Sequence, residues 1–230
     1  MEKLQDKYGI ANRKLPIEPF YNILSKLDKG ERLDKLMVAQ LKADNFFSRH
    51  DKITVTYYQF EANFYEKEFQ RTKDQWLIPK ISSYWRKADQ PSKALEITGG
   101  VNLANIKDNG LKARILVTRG AAFRDVKELK EAKNHALQAI DSEPESHHPY
   151  TLMGAICFDL GKYLEGEDWF EKARKRGAKL EDIEQEIKRL VKETRNDNKR
   201  RVLIEYLLKK DSVKYVLASH YLHKARKKDK

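Results

Sequence analysis

The sequence predicts an all-α fold, an α-solenoid of antiparallel helix pairs closed by a basic helical C-terminal cap, and three observations predict it. Only ten Gly and six Pro punctuate 230 residues, so long helices with few sharp turns are favoured. Between these breakers the apolar residues return at three- and four-residue spacing, the period of a helix with one buried face. Gly120 and Gly154 stand 34 residues apart in similar surroundings, a spacing that belongs to stacked helical hairpins. With 40% apolar and 10% aromatic residues the chain has enough material for a core.

In chain order, residues 1–15 lack a regular apolar period and run into Pro16, so they read as a flexible leader. Residues 16–112 form a helical N-terminal part. A short helix over about 17–27 carries Phe20, Ile23, Leu24 and Leu27, and after Gly30 a second runs from Leu33 to about Ser48. Asp51 can cap the next helix, Ile53 to Phe69. Its opening is β-branched, but Tyr58, Ala62, Tyr65 and Phe69 keep helical spacing. Six aromatics within 57–69 suit a helix clasped on two sides, with a partner pocket as the alternative. Trp76 to Trp85 makes a further helix that stops near Gln90-Pro91, and Ala94, Leu95 and Ile97 begin another.

Residues 113–178 repeat. In the second copy Tyr150, Met153, Gly154 and Cys157 share one helix face, Gly161 and Tyr163 form the turn, and Gly166, Phe170 and Ala173 mark the following helix. In the first copy Leu116, Gly120 and Phe123 fill one helix, Ala132, Ala136 and Ala139 the next, and Pro144 ends it. A residue without bulk at 120 or 154 lets a paired helix approach closely. This pattern resembles the tetratricopeptide-repeat family. Arg119, Ala136 and Ala178 depart from it, standing where that family usually has Leu, an aromatic and Pro. Residues 73–105 look like a degenerate third copy, with Tyr84, Trp85 and Ala94 in approximate places.

The resemblance implies a non-catalytic adaptor or scaffold that binds a protein partner in a concave groove lined by the first helix of each pair. The matching positions are Arg114, Thr118, Arg124 and Asp125 in the first copy and His148, Thr151, Phe158 and Asp159 in the second. Val117 and Ala121 occupy places where chaperone-binding members carry a carboxylate clamp, so a clamp of that kind is not expected. For Phe158 the plainer reading is packing between repeats, and for Arg114 and Arg124 a solvated charge.

Residues 179–230 form the basic end. The net charge of +12 is concentrated there: residues 174–230 hold 19 Lys and Arg against 9 Asp and Glu. A helix through Ile183, Ile187, Leu190 and Val191 caps the stack, followed by two short helices, Arg201–Lys209 and Ser212 to about Lys224. Their basic rim, Lys199, Arg200, Arg201, Lys209, Lys210, Lys214, Lys224 and Arg226, offers nucleic acid as an alternative partner, weighed against an ordinary solvated surface. No phosphate-cradling loop, Gly-x-Ser-x-Gly elbow or His-Glu-x-x-His helix occurs, and the pairs His147-His148 and His220/His223 come without a third ligand. Neither enzyme activity nor a cofactor or metal is expected. With a lone cysteine and no apolar run long enough to span a bilayer, a cytoplasmic protein with no membrane partner is expected.

Overall fold

The computed structural model describes residues 2–10, 17–44, 46 and 51–216, and these are all-helical, with no strand. Twelve α-helices occur among them: α1 Glu2–Lys7, α2 Ile17–Asp28, α3 Lys35–Ala43, α4 Lys52–Thr72, α5 Leu77–Lys87, α6 Pro91–Gly99, α7 Asn109–Asp125, α8 Leu129–Ser142, α9 His147–Asp159, α10 Tyr163–Lys175, α11 Leu180–Glu193 and α12 Asp197–Lys210. The chain divides into two compact units, Met1–Lys127 and Glu128–Lys230. Within each, helices pack mainly on their neighbours in sequence, as in solenoid-like folds. No helix of the described residues is long and apolar enough to cross a membrane.

Unit 1 begins differently from expectation. Residues 2–7 are helical, and Tyr8 and Ile10 are buried in one core with Phe20, Ile23, Leu24, Leu27, Leu41, Phe46 and Ile53. The first part of the predicted leader is thus tied down by burial, while residues 11–16 lie outside the described residues. Asp51 stands at the N-cap of α4 but makes no side-chain capping bond.

The helix pairs then follow. Trp85 is buried among Ala62, Ile81, Ala88, Ala94 and Ala122, so small residues from α4, α6 and α7 seat one large ring. The indole nitrogen donates to the Glu66 carboxylate at 2.5 Å, which keeps its one polar atom bonded. Pro91 opens α6 at its first helical position, where it has no intrahelical bond to lose. α5 and α7 run parallel. Trp76, just before α5, lies beside Arg114 near the start of α7, with the guanidinium 5.7 Å from a ring centroid. At the other ends Arg86 donates to Asp125 at 2.6 Å. Parallel neighbours two elements apart are what successive antiparallel hairpins must produce.

Unit 2 repeats that logic with different side chains. α9 and α10 form an antiparallel hairpin held by two reciprocal sockets. A methyl group placed on Gly154 would stand 2.6 Å from the Phe170 ring, and one on Gly166 would collide with the Phe158 ring. Each glycine therefore holds the opposite helix's phenylalanine against its backbone. Gly161, at φ 77°, reverses the chain between them. α11 and α12 make a further hairpin. Tyr163 packs on Tyr206 with centroids 4.8 Å apart, and one turn on, Lys210 pairs with Glu167 at 2.5 Å, so α10 and α12 run parallel. Phe170, Ala173, Ile183, Ile187, Leu190, Leu203, Ile204 and Leu207 share the core. The predicted cap is therefore itself a hairpin. Of the expected final helix, residues 212–216 form a turn and the rest lies outside the described residues.

Candidate partner-binding surface

Along α5, Trp76, Lys80, Tyr84 and Lys87 fall within one stripe, because positions separated by four, eight and eleven residues lie within about 80° of each other at 100° per residue. Trp76 is 47% exposed, large for a tryptophan, and both lysines are exposed. On α4, Tyr58, Glu61 and Tyr65 make the adjoining stripe. Tyr84 stacks on Tyr58 and tilts against Tyr65, with centroids 5.7 Å away in both cases. Lys80 Nζ stands 3.7 Å from the Tyr65 centroid, and Lys87 Nζ 5.1 Å from that of Tyr58.

Glu61 is buried and accepts from Nε and Nη2 of the Arg32 guanidinium, at 2.7 and 2.9 Å, while the guanidinium carbon sits 3.7 Å from the Phe64 centroid. That carboxylate is thus committed to Arg32. Burial, and then the Glu61 charge, push Tyr84 up to about 12, and Tyr57 is raised for the same reasons. Lys87 is held below the usual lysine range by desolvation and by the nearby Arg86 and Lys42 charges. The stripe is a half-buried tyrosine cluster with a local surplus of positive charge.

The predicted groove residues divide. Arg114 is exposed and joins Trp76 at the end of the α5 stripe. Thr118 bonds back to the carbonyls of Arg114 and Ile115 in its own helix, and Asp125 is held by Arg86 with its carboxylate 5% exposed. Arg124 is buried. In unit 2 His148 is exposed against His147, Thr151 bonds to the His147 carbonyl, and Asp159 is half-buried. Phe158 is 3% exposed and fills the Gly166 socket, so it packs the hairpin and does not line a groove. The Lys80, Tyr84 and Lys87 stripe was missed by the sequence reading, although the four-residue step from Trp76 through Lys80 to Tyr84 was there to be read.

Of the predicted basic rim, four of the six described residues have acidic partners. Lys210 pairs with Glu167 and Lys214 with Glu184 at 2.7 Å, across an open cleft among α10, α11 and α12. Arg200 reaches Asp197 and the Thr194 carbonyl, and Arg201 lies 3.9 Å from Glu205. Lys199 and Lys209 are exposed; Lys224, Arg226, His220 and His223 lie outside the described residues. Cys157 is buried and its thiol is pushed up to about 11, chiefly by burial and then by Glu165. Among the described residues no group of three or more His, Cys, Asp and Glu could hold a metal ion. No family model matches the chain, and no curated protein matches it.

Proposed function

We propose that the protein is a non-catalytic adaptor that holds a protein partner on the exposed faces of the first helices of its pairs, in the manner of the tetratricopeptide repeats it resembles. The observation that carries this reading is the α5 stripe: exposed Trp76, Lys80 and Lys87 flank the half-buried Tyr84, next to the α4 tyrosines, with Arg114 of α7 at its end. Tyrosine, tryptophan and arginine are the residues that dominate protein interfaces, because each joins a large apolar surface to a polar tip. The cytoplasm is the compartment this reading assigns, in keeping with a lone buried thiol.

Nucleic acid is the competing partner class. The carboxylates that engage Lys210 and Lys214 argue against those two lysines as phosphate ligands. Purification at low salt, with and without nuclease, separates the two readings. A protein that co-purifies in fixed ratio after nuclease treatment, and is lost from Lys80→Glu/Tyr84→Ala, supports the adaptor; material that is released by nuclease alone contradicts it.

A further inference from the structure

We infer that the α4–α5 face recognises an acidic, extended segment of its partner, with carboxylates three residues apart bound by Lys80 and Lys87. The inference rests on the adaptor reading and specifies the chemistry of the partner. The two lysines are seven residues apart on one stripe, about 10 Å along the helix axis at 1.5 Å per residue. A polyproline II segment rises about 3.1 Å per residue with three residues per turn, so carboxylates at every third position share one side, about 9 Å apart. The two spacings match.

Charge points the same way. Among the described residues neither lysine has a carboxylate within ion-pair distance; each ammonium instead stands over tyrosine rings. The buried Glu61 carboxylate on α4 is taken by Arg32. Lys42 and Arg86 add to the positive potential at Lys87, so an arriving anion relieves repulsion already present. A stacked nucleobase is the poorer occupant. The faces of Tyr58, Tyr65 and Tyr84 are partly taken up by one another and by the ammonium groups, and a base would have to displace them, whereas a carboxylate meets the ammonium directly. Polyproline II segments are also a common ligand of tyrosine-lined surfaces, since their order is largely paid for before binding.

The test uses the full chain and a fluorescein-labelled (Glu-Pro-Pro)4 peptide, with (Gln-Pro-Pro)4 and a ten-nucleotide thymidine strand as controls. Binding is followed by anisotropy at several salt concentrations. The wild type should bind the acidic peptide saturably and the glutamine peptide at least about tenfold more weakly, since charge-assisted bonds are lost. Lys80→Glu/Lys87→Glu should weaken acidic-peptide binding by about tenfold or more. Lys199→Glu/Lys209→Glu, with the same change in net charge elsewhere, should leave it within about twofold. Equal weakening by both variants reduces the effect to net charge and overturns the inference. So does tighter binding of the thymidine strand that depends on Lys80 and Lys87. A co-purifying protein that binds the Lys80/Lys87 variant at full strength overturns the site but keeps the adaptor reading. Absence of both peptide binding and a co-purifying protein defeats both.

Discussion

The two units reach helix pairing by opposite means. Unit 1 seats one large ring, Trp85, in a bed of alanines, whereas unit 2 lets Phe158 and Phe170 occupy glycine sockets on the facing helix. Helix ends, all in the left-handed region, differ in part: α1 and α2 of unit 1 close on Gly9 and Gly30 at φ 70° and 75°, as α9 and α10 of unit 2 close on Gly161 and Gly177, but α4, α5 and α7 close on Lys73, Asp89 and Lys127 at φ 59°, 58° and 68°. A glycine takes that conformation without strain and a lysine does not. The same topology is therefore strongly marked in one half of the sequence and hardly marked in the other.

The comparison breaks most visibly at Trp85. Trp85→Ala removes the ring that all four helices share, and should cost about 3–5 kcal/mol. The loss should appear in denaturant unfolding as a destabilised unit 1, with hydrogen exchange in α9–α12 little changed. Next in size is Gly154→Leu, which should cost about 1–3 kcal/mol or more by overpacking the Phe170 contact. Gly154→Ala combined with Phe170→Leu should recover part of the loss caused by Gly154→Ala alone. Strict additivity of the two substitutions would show that the socket does not couple them.

This contrast explains what the sequence disclosed. The small and aromatic positions read in the second copy, Gly154, Gly166 and Phe170, are legible because they meet in the α9–α10 contact, where the two glycines are structural sockets. In α5 and α6 the spacing was irregular, since alanines that seat Trp85 look like ordinary helix formers. Tyr8 and Ile10 were missed because two apolar residues after a six-residue helix make no period. At the candidate surface, residue type was legible and exposure less so: the packing of Phe158 was the plainer reading, but Arg124 reads as a solvated charge and is buried, and Asp125 reads as groove lining and is ion-paired. Lys210 and Lys214 read as free charge because their partners, Glu167 and Glu184, come from other helices.

A smaller effect sharpens the comparison of helix ends. Lys73→Gly should stabilise unit 1 by about 1 kcal/mol by relieving the left-handed backbone at the end of α4. Gly161→Ala should do the reverse in unit 2. Melting temperatures that move in the same direction would undo the distinction.

Alkaline pH should separate the units more subtly. The Cys157 thiol rises in the fold from an ordinary 9.0 to about 11, and Tyr84 from 10.0 to about 12. In both, the neutral form is favoured by folding, so the contribution is complete below the unfolded value and is lost as pH climbs towards the folded one. Unit 2 should begin to weaken near pH 9 and unit 1 near pH 10. Cys157→Ser should remove on the order of 1 kcal/mol of that loss between pH 8 and 10. An unchanged pH profile in the serine variant would show that the thiol is not the group responsible.

The proposal that the partner docks on the α4–α5 face of unit 1 has a direct test: hydrogen exchange of the full chain, with and without saturating (Glu-Pro-Pro)4 peptide. Exchange should slow in residues 57–87 only, with α9 to α12 unchanged. Protection in α9–α12 instead, or none anywhere at saturation, would contradict it.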